Sequence, residues 1–156
     1  MSKRVVMDWT ITVDRPAEEV FAYLADIGRH HEWASGDFRV EDLSEGPLGV
    51  GSTWTSFGFQ PPNHKDHRND VTVTELTSPS RLVFVAKDGG EDFVSTFDLT
   101  SVGDGTRVDR TLDVPKPGGA MGLAFGGIVK TIIKPGVQKT METFKSNVEG
   151  KSTIEG

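Results

Sequence analysis

The sequence predicts an α+β domain in which an antiparallel β-sheet packs against one long C-terminal helix. Between residues 38 and 114, short stretches alternate apolar and polar side chains, which is the two-residue period of half-buried strands. Glycine and proline residues interrupt these stretches, as expected for turns. From about residue 115 to residue 149 the apolar residues recur every three or four positions, which is the period of an amphipathic helix.

The N-terminal segment predicts one strand followed by two short helices. Apolar residues alternate with polar ones over residues 5–13, so one face of this strand is expected to be buried. Pro16 suits the first turn of a helix, and the two glutamates that follow it complement the helix dipole. A second short helix is predicted at roughly residues 28–35, where it carries His30, His31 and Trp33.

Five or six further strands are expected, near residues 38–44, 52–60, 68–77, 81–88, 91–101 and 105–114. Paired residues in a hairpin share one face of the sheet, so only some registers keep the apolar residues of neighbouring strands together. Two-residue loops at Ser78-Pro79, Gly89-Gly90 and Gly103-Asp104 achieve this for the last four strands. The predicted inward rows are Val71, Ala86, Phe93 and Val114; Val73, Phe84, Ser95 and Leu112; and Glu75, Leu82, Phe97 and Arg110.

The C-terminal helix carries its apolar stripe in two parts, separated by Pro135-Gly136, where a kink or short break is expected. Met121, Phe125, Ile128 and Ile132 form the first part, and Val137, Met141, Phe144 and Val148 form the second. Glycines 118, 119, 122, 126 and 127 place small residues opposite large ones on the sheet. They either leave room for a ligand or let the helix approach the sheet and close the core, and the pattern does not choose between these.

Arg110 is the main candidate for a binding role. A guanidinium on an otherwise apolar face requires an anion, water or an aromatic ring, and Phe97 lies opposite it in the predicted register. We expect Arg110 to anchor the carboxylate, phosphate or carbonyl group of a mostly apolar ligand. The alternative is that its side chain extends to the end of the sheet or pairs with a carboxylate in a loop.

The other predicted site residues are Glu75 and a set of mainly large apolar side chains. Glu75 acts as a general acid or base if it is buried, but it lies near a strand end where it can also reach water. The rest of the predicted ligand-binding set is Trp9, Trp33, Phe57, Phe84, Phe93, Ser95, Phe97, Leu112, Met121, Phe125 and Ile128. No catalytic residues are assigned.

Composition and missing motifs exclude several classes of function. A net charge of −6 argues against nucleic-acid binding, and the absence of cysteine excludes disulfides. Nucleotide, dinucleotide and zinc motifs are absent, so no cofactor or metal is expected. The segment 63–67 contains two histidines and an aspartate, but a solvated loop is favoured there over a metal site. His30 and His31 are weaker metal candidates still, because adjacent helical residues point in different directions.

The sequence also predicts location and domain organisation. The chain starts without a signal-peptide pattern, and its longest apolar run, Ala120–Ile133, is short and contains Lys130. We therefore expect a cytoplasmic protein without membrane insertion. A single domain is predicted over residues 1–150, with a disordered tail at 151–156; the oligomeric state stays open.

Several segments, in order, resemble the START-like helix-grip (SRPBCC) superfamily, closest to its polyketide cyclase/dehydrase and lipid-transport branch. They are Arg15–Asp26 followed by Trp33, then Gly46–Trp54, Ser80–Leu82, Gly105–Val108 and Phe144–Glu149. The resemblance implies a seven-stranded antiparallel sheet wrapped around a long C-terminal helix, with two short helices closing one end. It also implies a cavity between the sheet and this helix for lipids, polyketides or similar molecules.

The resemblance leaves three functions open. The first is binding of a hydrophobic small molecule, such as a lipid, a polyketide or an isoprenoid-like compound. The second is a cyclase, aromatase or dehydratase, in which Glu75 or Arg110 assists proton transfer or stabilises an enolate. The third is a co-chaperone-like domain that binds a partner protein and has a closed core.

Overall fold

A computed structural model describes residues 3–34, 38–60, 64–88 and 90–150, the side chains of residues 59–60 and 64–66 excepted. Seven strands form one antiparallel sheet in the order β1-β7-β6-β5-β4-β3-β2. The strands are β1 (Arg4–Val13), β2 (Arg39–Glu41), β3 (Thr53–Gln60), β4 (His64–Thr77), β5 (Arg81–Asp88), β6 (Glu91–Val102) and β7 (Gly105–Pro115). The predicted α+β class and seven-stranded sheet are confirmed; the tail at 151–156 lies outside the described residues.

The helices follow the predicted order. Helix α1 (Ala17–Leu24) starts after Pro16, and the predicted second short helix is a 3-10 helix at Ile27–Glu32. The C-terminal helix runs without a break through α2 (Gly119–Ile128), a π-helical segment (Val129–Ile133) and α3 (Lys134–Val148). Pro135 lies in the first turn of α3, directly after the π-helical segment. The expected interruption is therefore a local change of hydrogen-bond pattern, since proline removes one amide donor from the helix.

The strand register agrees with the predicted inward rows at most positions. Val73 pairs with Phe84, Phe84 with Ser95, and Ser95 with Leu112, as expected. In the third row, Leu82 pairs with Phe97 and Phe97 pairs with Arg110. Residues on one face of a strand alternate, so these pairs bring Arg110 to the same face as Phe84 and Leu112.

The prediction that Glu75 faces the interior is wrong. Thr77 pairs with Arg81, so the turn after β4 contains three residues instead of the predicted two. A β-bulge between Val73 and Glu75 absorbs the extra residue and restores the register further along β4. Glu75 consequently points outward, where its side chain is 55% exposed and pairs with Arg81 at 3.2 Å.

The hydrophobic core fills only part of the space between the sheet and the C-terminal helix. Met141 and Phe144 of α3 are each 1% exposed and pack in the core. In contrast, α2 contains no buried residue, and its Leu123 is 91% exposed. The C-terminal helix is long and apolar enough to cross a membrane by length and composition, but α3 packs against β1 and α1. The sheet is thus covered tightly by α3 and loosely by α2.

The glycines of α2 do not bring the helix against the sheet. A Cβ atom added at Gly126 or Gly127 would meet no atom within 4 Å, and the same holds at Gly118 and Gly119. At Gly122 it would meet only the Pro117 carbonyl, within the same turn of chain. The sequence left open whether these glycines leave room for a ligand or let the helix close the core. In the structure they leave an open space between the helix and the sheet.

Candidate functional site

A cavity of about 910 Å³ lies between the inward face of the sheet and the C-terminal helix. Its size is within the usual range for small-molecule sites, and its wall is mostly aliphatic and aromatic. The sheet contributes Met7, Trp54, Val71, Phe84, Ala86, Phe93, Ser95, Arg110, Leu112 and Val114. The C-terminal helix contributes Met121, Phe125, Ile128, Ile132, Ile133, Val137 and Thr140, and the segment around the 3-10 helix contributes His30, Trp33 and Ala34.

Nine of the thirteen residues predicted from the sequence line this cavity: Trp33, Phe84, Phe93, Ser95, Arg110, Leu112, Met121, Phe125 and Ile128. They come from β5, β6, β7, α2 and the end of the 3-10 helix. They converge because strand alternation places Phe84, Ser95 and Leu112 in one row, while α2 presents its apolar stripe to that row.

Four predicted residues lie elsewhere. Trp9 is buried on β1, and its Nε1 donates a hydrogen bond to the Lys134 carbonyl at 3.1 Å, which ties the C-terminal helix to the sheet. Phe97 is buried beneath Arg110. Phe57 alternates with the cavity-lining Ser56 and packs against Arg39 of β2, with the guanidinium 4.2 Å from the ring centre. Glu75 is on the outer face, as described above.

Arg110 lies at the end of the cavity next to the 3-10 helix, which we call the inner end. Its guanidinium carbon is 4.9 Å from the ring centre of Phe97 and 6.0 Å from that of Trp33. Within the described part of the chain it forms no ion pair or hydrogen bond, and its Nε is buried without a partner. Burial lowers the pKa of Arg110 to about 10, so the side chain stays charged at neutral pH.

His30 is a second polar residue at the inner end, and it is 3% exposed. Its Nε2 is 2.7 Å from the Leu24 carbonyl, which can only accept, so Nε2 carries the proton and Nδ1 is an acceptor. Burial, with a smaller contribution from the charge of Arg110, lowers the pKa of His30 to about 4. His30 is therefore neutral at physiological pH.

Trp33 completes the inner end. Its ring centre is 4.8 Å from that of His30, and it meets Phe144 edge-to-face at 5.2 Å. The indole Nε1 is buried and has no hydrogen-bond partner among the described residues. A buried N–H group without an acceptor is unusual, so Trp33 is a second candidate donor at the inner end beside Arg110.

The ligand-binding set predicted from the sequence does not include His30, Trp54 or Ser56, which line the cavity. His30 lies three positions after Ile27 on the 3-10 helix, so their shared inward face was a usable signal. Trp54 and Ser56 are two positions apart on β3 and so share one face of the strand, whereas Phe57 lies on the other face.

Of the predicted His64–His67 cluster, only the His67 side chain is described; it forms a hydrogen bond with Asp88 at 2.7 Å and lines the cavity. Among the described residues, no group of three side chains could hold a metal ion.

The inner end can bind and orient a polar group, since it combines a cation, an N–H donor and a neutral imidazole acceptor. Among the described residues, the remaining ionisable groups of the cavity wall are His67, Glu91 and Lys116. Glu91 is six residues from Phe97, the pairing partner of Arg110, which places it about 20 Å away along β6. The cavity is thus polar at the inner end, apolar along most of its length, and bordered by further ionisable groups far from Arg110.

Solved structures with low sequence identity share this fold. TTHA0849 from Thermus thermophilus has a TM-score of 0.74 at 18% identity, over 96% of this chain and 100% of that chain. The di-domain ARO/CYC protein BexL from the BE-7585A biosynthetic pathway has a TM-score of 0.74 at 16% identity, over 94% of this chain and 50% of that chain. CV1439 from Chromobacterium violaceum has a TM-score of 0.65 at 16% identity, over 92% and 96%.

No curated protein matches the sequence significantly. The family described as "Polyketide cyclase / dehydrase and lipid transport" matches residues 4–149, which is nearly the whole chain. The match agrees with the sheet order, the long C-terminal helix and the cavity between them. The chain therefore belongs to the polyketide cyclase/dehydrase and lipid-transport family.

Proposed function

We propose that the protein binds a hydrophobic small molecule, such as a lipid, a polyketide or an isoprenoid-like compound, between the sheet and the C-terminal helix. The observation that carries the proposal is the cavity of about 910 Å³ with its mostly apolar wall. Family membership supports the same class of ligand.

The volume of the cavity supports a resident ligand. The cavity opens to solvent on the side of Met121, so it does not stay empty. The space must therefore hold water or a ligand. Water needs two to four polar partners, and the wall around Phe93, Phe125 and Ile128 offers few. Replacing that water with an apolar ligand is favourable.

Native mass spectrometry of the freshly purified protein tests this proposal directly. A co-purified molecule would appear as a mass increment that is lost on denaturation. A thermal-shift panel of fatty acids, aromatic polyketides and isoprenoids would then rank the ligand classes. Absence of any adduct together with no shift across the panel would refute the proposal.

A matched pair of variants localises the binding. Ala86→Trp fills the cavity from β5, whereas Val85→Trp places the same ring on the opposite face of the same strand. We expect Ala86→Trp to abolish ligand-induced stabilisation and Val85→Trp to retain it. Equal binding by both variants would place the ligand outside the cavity.

An enzyme of the cyclase or dehydratase kind is the second candidate, and the presence of both His30 and Arg110 at the inner end favours it. A neutral imidazole could accept a proton while the guanidinium stabilises an enolate oxygen. Glu75 lies on the outer face and takes no part. Turnover of a poly-β-ketone thioester that is lost in His30→Phe, with ligand affinity retained, would establish this candidate. The hollow core argues against the third expectation, a partner-binding domain with a closed core.

A further inference from the structure

We infer that the ligand is a monoanion whose carboxylate binds Arg110 and Trp33 at the inner end, while its apolar remainder lies under α2. This inference rests on the proposed function. The sequence allows a carboxylate, a phosphate or a carbonyl group as the partner of Arg110, and the inference selects the carboxylate. It assigns a ligand class and an orientation.

The charge of Arg110 is unbalanced. The side chain is partly buried and its guanidinium lies against Phe97 and Trp33, so it has lost part of its hydration, which the aromatic faces replace only in part. Its strand neighbours Asp109 and Asp113 point to the opposite face, where they pair with Arg107 and Arg4. No carboxylate among the described residues neutralises Arg110, so a ligand anion would supply the missing charge.

The indole donor of Trp33 is also unpaired. Trp33 Nε1 and Arg110 Nε are two of the buried polar side-chain atoms that lack a hydrogen-bond partner in the described residues. Both are donors only, and both belong to residues at the inner end. A carboxylate has two oxygens that each accept, so it can satisfy a guanidinium and an indole together. An alcohol adds a donor where donors are already in excess.

The inner end balances a single negative charge on the ligand. Arg110 is the single cationic side chain of the inner end in the described structure, because His30 is buried and neutral there. A phosphate monoester carries about −1.5 to −2 charges, which would leave buried negative charge without a partner. Lys116 is six residues beyond Arg110 on the chain, about 20 Å away, and does not compensate it.

The orientation follows from the rest of the wall. From Arg110 the cavity continues past Leu112 and Phe93 toward Phe125 and Ile128, all apolar. At the far side Met121 is 41% exposed, which marks the side open to solvent. The carboxylate therefore enters first and the apolar part fills the space under α2.

Ligand sets that differ only in their polar group test the inference. We would measure Kd for myristic acid, myristyl alcohol, methyl myristate and monomyristyl phosphate, and for naphthoic acid beside its alcohol and methyl ester. Tryptophan fluorescence provides the signal because Trp33 and Trp54 line the cavity. In the set that binds, we expect the acid to bind at least about tenfold more tightly than its alcohol or ester, and more tightly than the phosphate.

Three variants separate charge from shape. Arg110→Met keeps an unbranched apolar stem and removes the charge, so the acid-to-alcohol preference should fall to within about threefold. Trp33→Phe keeps an aromatic ring and removes the N–H, so the acid should weaken about three- to tenfold and the alcohol should not change. Arg107→Met is the control, since Arg107 lies on the same strand but on the outer face. It should leave all affinities unchanged.

A measurement on the wild-type protein covers the case in which a variant does not fold. Carboxyl-labelled (carbon-13) myristic or naphthoic acid reports its own ionisation by NMR. Bound at Arg110, the carboxyl group should titrate at lower pH than the free acid.

The outcomes are distinct. Acid, alcohol and ester that bind the wild type equally, or a bound carboxyl that titrates at or above the pH of the free acid, would overturn the anion inference and leave the proposed function intact. Tighter binding of the phosphate would overturn the assignment of a single charge. Failure of every member of both sets, with native mass spectrometry also empty, would remove the proposed function itself.

Discussion

His30 makes the stability of the fold depend on pH in a defined window. Its pKa is about 4 in the folded chain, whereas an unfolded histidine titrates near 6.5. The unfolded state therefore binds a proton first as the pH falls, so its free energy drops relative to the folded state. The contribution is fully present above about pH 6.5 and is lost progressively down to about pH 4.

The size of the effect follows from that shift. A difference of about 2.5 pKa units corresponds to roughly 3 kcal/mol at its limit, and to about 2–3 kcal/mol at pH 4.5. His30 is 3% exposed, so screening by solvent reduces this little. The expected loss is a large part of the stability of an ordinary domain.

Urea unfolding at pH 7.0 and pH 4.5, followed by tryptophan fluorescence, measures the loss for the wild type and for His30→Phe. Carboxylates titrate in the same pH range in both proteins. Subtracting the stability loss of His30→Phe from that of the wild type therefore removes their contribution. We expect the wild type to lose about 2–3 kcal/mol more than His30→Phe between the two pH values. Equal pH dependence in the two proteins would show that His30 takes up a proton without unfolding, and the argument for a buried neutral imidazole would be wrong.

Three further predictions concern stability and the outer face. Arg110→Met should raise the stability of the ligand-free protein, by up to about 1 kcal/mol, because it removes a partly buried charge that has no partner among the described residues; a lower melting temperature would contradict this. Phe144→Ala should cost about 3–5 kcal/mol in chemical denaturation, but Met121→Ala less than about 1 kcal/mol; equal losses would contradict a half-filled core. Glu75→Gln should change stability by less than about 1 kcal/mol and leave ligand affinity unaltered in a binding titration; weaker binding would place Glu75 at the site.

The alternation along the strands was enough to predict most of the sheet face. Arg110 is in phase with Val108 and Leu112, and the turn at Gly103-Asp104 aligns it with Phe97, as the structure has it. This succeeds because the side-chain period of a strand is set by its backbone, so each residue's face can be read locally. A one-residue change in a turn reverses that face, and Glu75 shows it: the three-residue turn and the bulge turned it outward.

The packing of neighbouring elements determines which of the remaining residues face the cavity, and local patterns do not show this. Adjacent helical positions separate His30 from His31, but only the packing of the 3-10 helix against the sheet shows that His30 reaches the cavity. Phe57 is as apolar as Trp54 and lies on the opposite face of β3, and the position of the C-terminal helix decides which face is inside. The unpaired donors of Trp33 and Arg110 are likewise visible only once all their neighbours are in place.

The amino-acid sequence alone predicts the elements, their order, the family and the inward position of Arg110, because each of these depends on short-range periodicity or on matched segments. Whether the helix encloses a cavity depends on the tertiary packing. The apolar stripe of α2 has the same sequence pattern whether it faces a packed core or a cavity. Met141, Phe144 and the hydrogen bond from Trp9 to Lys134 fix the position of α3 on the sheet. The position of α3 in turn sets the distance between α2 and the sheet. That distance is a property of the whole assembly, and no local stretch of sequence encodes it.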